Sequence, residues 1–189
     1  MEKPSPLDPA QPAALRNRTI VLVGMMGAGK SSVGKRLAVA LDLPFRDADE
    51  EIEQAAGRTI SEIFASRGEA EFREGERRVI ARLLDEPPHV LATGGGAFMN
   101  PETRALVSKK AVSVWLKADP EILARRVGRK DTRPLLKGKD PRQVLTELLE
   151  KREPSYRQAD LIVESADAPH QTTVEIIIAA LKARAEENK

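Results

Sequence analysis

Residues 19–32, TIVLVGMMGAGKSS, constrain this chain more than any other stretch. A strand-forming run, Thr19 to Val23, leads straight into Gly24, and Gly24, Gly29, Lys30 and Ser31 fill the fixed places of G-x-x-x-x-G-K-[ST]. Small residues let a backbone wrap closely around an anion so that successive N–H groups point inward. The N-terminus of the helix that follows adds its partial positive charge. Gly27, Ala28, Gly29, Lys30, Ser31 and Ser32 are therefore the candidate phosphate contacts, with Lys30 reaching the outer phosphates and the Ser31 hydroxyl available to Mg²⁺. An ordinary glycine-rich turn is the competing reading. The strand before the loop and the helix after it favour nucleotide binding.

Behind this loop, strand and helix signals alternate. TIVLV (19–23) reads as a central parallel strand buried on both faces, and a helix over Lys30–Leu41 follows it. LPFRDAD is a short strand ending in acids. EEIEQAAG and SEIFASRG are two short helices leading to a long one, EAEFREGERRVIARLL, whose Phe72, Val79, Ile80, Leu83 and Leu84 recur at helical spacing. HVLAT (89–93), AVSVWL (111–116) and LIV (161–163) are further strands, separated by helices at 101–108, DPEILARRV and PRQVLTELLEKREPSY, with a last helix near 172–186. About five strands alternating with helices predict a three-layer α/β/α fold with a parallel central sheet. Ligands in such sheets sit beyond the carboxyl ends of the strands.

The bulk composition excludes several function classes. There are 31 Lys+Arg against 29 Asp+Glu, so no global basic field points to nucleic acid or a membrane surface. No cysteine is present, which removes disulfides, thiolate metal sites and a cysteine nucleophile. The only histidines, His89 and His170, are too far apart in sequence to suggest a metal centre. No apolar run approaches the roughly 18 residues of a membrane span. The opening MEKPSPLDPAQPAALRNR carries four prolines and no apolar core, and reads as a disordered tail over 1–17 rather than a secretory signal. The expected compartment is the cytoplasm, and 18–186 is expected to form a single domain.

At the strand ends, each candidate carries two readings. Asp47 and Asp49 in DAD face one cleft if the chain is extended, one serving a metal and the other a substrate hydroxyl. Asp49 is equally well placed to cap the helix that follows. HVLAT lacks the aspartate that usually organises Mg²⁺ in a phosphate-loop enzyme, so Asp47, acting through water, is the substitute. Each glycine of Gly94-Gly95-Gly96 costs about 1 kcal/mol in lost order. The triplet is either an anion-binding backbone nest or a tight strand-to-helix turn. REGERR (73–78) is either a solvated helix face or the carrier of a cleft-facing Arg73 oriented by Glu76. The stretch RRVGRKDTRPLLKGK combines Arg125, Arg126, Arg129, Lys130, Arg133, Lys137 and Lys139 with Gly128 and Gly138. That suits a lid closing over phosphates; an RNA-binding patch is the rival, but no aromatic is present for base stacking.

Together these residues resemble the shikimate kinase family. GMMGAGKSSVGKRLA, FRDADEEIE, ISEIFASRGEAEFREGE, LATGGGAF, RPLL and EKREPSYRQAD occur in that order, and the resemblance spans essentially 18–185. It implies a nucleoside-monophosphate-kinase-like P-loop fold with a mobile lid, and transfer of the γ-phosphoryl of ATP to the 3-hydroxyl of shikimate on the route to chorismate and the aromatic amino acids. The family's strand after the substrate helices likewise lacks the usual metal-binding aspartate.

The resemblance also implies residue roles. ATP phosphates fall on Gly27 to Ser32, and Mg²⁺ on Ser31 with Asp47 in its outer shell. Asp49 holds the substrate hydroxyls and acts as base. Arg73 and Arg152 clamp the shikimate carboxylate, helped by the Gly95 and Gly96 backbone, and Phe64 and Phe72 wall the pocket. Arg133, in a lid over about 128–139, meets the ATP phosphates, and substrate-binding helices occupy about 49–78. The partners expected are ATP and shikimate, with no nucleic acid or membrane, and the chain is expected to be a monomer. A gluconate kinase, or a non-catalytic nucleotide-binding relative, is the alternative.

Overall fold

β1 (Thr19–Val23) takes the centre of the sheet because all five of its residues are buried. It pairs in parallel with β3 (Val90–Ala92) on one side and β4 (Ala111–Lys117) on the other. β2 (Phe45–Asp47) and β5 (Leu161–Glu164) form the edges, giving the order β2-β3-β1-β4-β5. This computed structural model describes residues 17–127, 138, 140–165 and 167–187. The tail assigned to 1–17 and the lid assigned to 128–139, with Arg133, lie outside the described residues apart from Asn17 and Gly138.

Parallel neighbours need crossovers, and helices supply them. They are α1 (Lys30–Leu41), α2 (Ala48–Ala56), α3 (Ile60–Leu83), α4 (Pro101–Lys110), α5 (Pro120–Val127), α6 (Pro141–Tyr156) and α7 (His170–Glu187), lying on both faces of the sheet. Val33, Leu37 and Leu41 of α1 join Ile20 to Val23, Trp115 and Leu116 in one core. Each such large side chain contributes about 1.5–3 kcal/mol by leaving water.

Local chemistry sets the boundaries. Thr59 caps α3 through a reciprocal box with Glu62. Asn100 and Asp140 cap α4 and α6, each with proline at the first helical position. Gly68, at φ 80° and ψ 174°, breaks α3 into two arms, and that break separates the short helix expected at SEIFASRG from the long one after it. A 3₁₀ turn at Ala97–Met99, which the sequence pattern did not suggest, carries the chain from β3 to α4.

The cap of α2 corrects one expectation. Asp47, not Asp49, is the N-cap, its Oδ1 accepting from the Asp49 N–H at 3.0 Å. The extended alternation expected through DAD is also absent, because the helix begins at Ala48. Asp47 closes the strand while Asp49 already belongs to the first helical turn.

Candidate active site

Two groups of residues meet where β1, β2 and β3 end. The first is the loop from Gly24 to Ser32. Gly24 has φ 141°, and a β-carbon there would sit 2.7 Å from the Leu116 carbonyl oxygen, so only glycine lets β1 leave the sheet this way. Gly29, left-handed at φ 92°, turns the chain into α1. Lys30 Nζ donates to the carbonyls of Gly24 and Met25, each at 2.8 Å, lying back along its own loop. The Ser31 hydroxyl donates to Asp47 Oδ2 at 2.7 Å, joining two groups 16 residues apart.

The second group surrounds the glycine triplet. None of Gly94, Gly95 and Gly96 has positive φ, so the alternation that a backbone nest requires is absent. The Ala97 N–H donates to the Gly94 carbonyl at 3.2 Å, and the triplet is a tight turn. Its glycines instead let charged side chains approach closely. A β-carbon at Gly94 would lie 3.1 Å from Asp49 Oδ1 and 3.0 Å from Glu76 Oε1, and one at Gly95 would lie 3.0 Å from Arg152 Nη1. One at Gly96 would overlap the Arg73 guanidinium. Two carboxylates from α2 and α3 and two guanidiniums from α3 and α6 thus converge on three residues without side chains.

REGERR divides by helix face. Arg73 Nη1 donates to Glu76 Oε2 at 2.7 Å on the inward side, while Arg77 pairs with Glu74 and Glu102, and Arg78 with Glu74, on the outward side. Phe64 and Phe72 meet at a 4.6 Å centroid separation with their rings tilted by 38°, and the Arg73 guanidinium carbon lies 5.1 Å from the Phe72 ring centre. Burial pushes the Glu76 carboxyl up. Arg73 opposes that shift, and the negative charge of Asp49 adds to it. The basic stretch also divides: Arg125 pairs with Asp167 in solvent, whereas Arg126 Nη1 donates to the Gly27 carbonyl at 3.3 Å.

Sequence reasoning did not single out Tyr156. It is fully buried, stacks on Trp115 at 5.6 Å, and donates its hydroxyl to the Gly95 carbonyl. Its hydroxyl also lies 3.8 Å from Met25 Sδ, which Arg152 Nη1 approaches to 4.0 Å. Burial raises its pKa to about 12. The available signal was its place four residues after Arg152 on one helix, which puts both side chains on the same face.

A glycine-rich loop after the central strand, with a lysine and a serine at the mouth of α1, gives the chain the architecture of a P-loop protein. A solved gluconokinase from Sinorhizobium meliloti 1021 shares that fold at a TM-score of 0.64 and 23% identity, over 91% of this chain and 95% of its own. The family model described as shikimate kinase matches residues 26–182. A curated relative from Caulobacter vibrioides (strain NA1000 / CB15N), named shikimate kinase, is 71% identical over 170 residues, 90% of this chain and 85% of its own length. The solved shikimate kinase from Acinetobacter baumannii in complex with shikimate is similar at a TM-score of 0.87 and 36% identity, over 91% of this chain and 97% of that one. The chain belongs to the shikimate kinase family.

Proposed function

We propose that this chain transfers the γ-phosphoryl group of ATP to the 3-hydroxyl of shikimate, yielding shikimate 3-phosphate and ADP on the route to chorismate. The observation that carries this reading is the convergence of Asp49, Arg73 and Arg152 on Gly94, Gly95 and Gly96, beside the phosphate loop. An anionic polyol needs guanidiniums for its carboxylate and a carboxylate for its hydroxyls. This cleft supplies both within one turn of chain.

In this reading Arg73 and Arg152 hold the substrate carboxylate with the backbone N–H groups of Gly95 and Gly96, and the Phe64–Phe72 pair walls the ring. Asp49 accepts the hydrogen bond of the attacking hydroxyl and takes its proton as the new O–P bond forms. The bond from the γ-phosphorus to the bridging oxygen of ADP breaks on the opposite side. Lys30 swings from the loop carbonyls to the β- and γ-phosphates, joined by the N–H groups of Gly27 to Ser32. Arg133, carried over from the family pattern, completes the phosphate contacts.

Ser31 and Asp47 offer a hydroxyl and a carboxylate 2.7 Å apart, the hard oxygen donors that suit Mg²⁺. Among the described residues no cluster of three or more His, Cys, Asp or Glu side chains could hold a metal, and Ser31 and Asp47 would hold it together with the nucleotide. There it would supply Lewis-acid withdrawal of charge from the phosphates. Among the described residues no helix is long and apolar enough to cross a membrane. We place the working enzyme in the cytoplasm as a monomer.

A coupled ADP-release assay with shikimate, quinate and gluconate offered separately tests the reading. Turnover with shikimate alone is expected. Gluconate turnover with shikimate ignored would overturn it in favour of the other kinase, and no turnover with any of the three would favour a non-catalytic binder.

A further inference from the structure

The phosphate loop has an outer face as well as the face it turns to the anion, and a side chain from the far end of the sheet holds that outer face. Ser165 directly follows β5 and is 2% exposed. Its hydroxyl donates to the Ala28 carbonyl at 2.9 Å and accepts from Arg126 Nη1 at 3.3 Å, while Arg126 also donates to the neighbouring Gly27 carbonyl at 3.3 Å. The Ser165 N–H donates to the Lys117 carbonyl, continuing the β4–β5 ladder. The serine is thereby tied to the sheet at its backbone and to the loop at its side chain. A hydroxyl this deeply buried costs free energy unless it is paired, and here both its donor and acceptor capacities are used.

A peptide unit is planar and trans, so its carbonyl and the following N–H point in opposite directions. Fixing the Ala28 carbonyl on the outer side therefore aims the Gly29 N–H at the inner one. His170 packs against the same turn, where a β-carbon at Gly29 would meet its Cε1 at 3.2 Å. We propose that Ser165 is a positioning residue for the nucleotide: by holding the Ala28 carbonyl outward it orients the Gly29 amide toward the phosphates of ATP. This rests on the assignment of residues 24–32 to the phosphates.

The test compares the wild type with Ser165→Ala, with Lys30→Ala measured in parallel. Losing one orienting hydrogen bond is expected to raise the KM for MgATP about three- to tenfold while the KM for shikimate stays within about twofold. The rise in melting temperature caused by saturating ADP, read on the same proteins, is expected to shrink for Ser165→Ala, and it reports nucleotide affinity even where the variant is less stable. An unchanged KM for MgATP, or equal rises in both KM values with an undiminished ADP shift, would overturn the proposal. If Lys30→Ala is inactive while Ser165→Ala matches the wild type, only the role of Ser165 falls. If Lys30→Ala turns over normally, the phosphate-loop assignment falls and this inference with it.

Discussion

Arg73 and Glu76, three residues apart on α3, form a 2.7 Å ion pair in which Glu76 is 3% exposed and Arg73 ten times more so. The second Glu76 oxygen, Oε1, is buried without a hydrogen-bond partner among the described residues, close to Gly94 and on the side of Asp49. Burial is the largest influence on this carboxyl, and it raises the pKa above the ordinary 4.5. Above about pH 4.5 the folded protein thus keeps a proton that the unfolded chain has released. The stability this group contributes is full below that pH and is lost as pH climbs through the raised folded value. Glu76→Gln does not titrate and keeps an acceptor for Arg73. Its stability relative to the wild type, from urea unfolding at a series of pH values, should rise with pH from about 4.5 upward. A difference that stays flat with pH would show that the buried carboxylate ionises without cost.

Tyr156 gives a second prediction. With a pKa of about 12 it stays protonated at every pH the protein would be assayed at, so its hydroxyl keeps the proton it donates to Gly95. Tyr156→Phe keeps the ring against Trp115 and leaves the Gly95 carbonyl without that donor. A buried group so stranded costs about 1–3 kcal/mol. Lower thermal stability and a severalfold higher KM for shikimate are expected, with the KM for MgATP near the wild-type value. Equal changes in both KM values would show a general loosening instead of a local one at the triplet.

Much of this architecture is legible in the sequence, for a reason that particular residues make plain. The β1–loop–α1 unit depends on neighbours in the chain: a buried run, glycines at the turns, and a helix beginning at Lys30. The break in α3 is local too, since Gly68 adopts a left-handed conformation where an ordinary residue would continue the helix. What sequence could not settle depends on contacts across the fold. Asp47 and Asp49 are both suitable caps; the helix begins at Ala48, so Asp47 caps it through Oδ1 while its Oδ2 accepts from Ser31 across the cleft. The triplet offered a nest or a turn, and the turn prevailed because side chains from α2, α3 and α6 fill the space its absent β-carbons leave. Ser165 carries no sequence signal at all: its partner Ala28 lies 137 residues away.

The corrected cap makes Asp49→Asn a clean substitution. Because Asp47 holds the α2 N-terminus, the amide at 49 should leave that helix intact. It retains the size of the side chain while removing the negative charge and the base. Activity should fall about a hundredfold or more, the usual effect of losing a general base, while circular dichroism and the melting temperature stay near wild type. If activity survives at more than about a tenth of the wild-type value, Asp49 orients the hydroxyl without taking its proton.

Arg152 separates substrate recognition from nucleotide binding most directly. It lies in the last turns of α6, half-buried, with Nη1 against Gly95 and near Met25 Sδ. An arginine there that served only as a solvated surface charge would contribute less than about 1 kcal/mol. One that grips a carboxylate contributes a charge-assisted contact worth roughly 1.5–3 kcal/mol, or about ten- to a hundredfold in affinity. Arg152→Ala should therefore raise the KM for shikimate by that factor and leave ADP binding, measured by calorimetry without shikimate, nearly unchanged. Met25 touches both Arg152 and Tyr156 and also supplies a carbonyl to Lys30, so a small effect on the nucleotide side is consistent with the packing. Arg152→Lys should recover little, because one ammonium cannot present the paired donors of a guanidinium to a carboxylate. Shikimate kinetics unaltered in Arg152→Ala would remove Arg152 from the clamp and leave the carboxylate to Arg73.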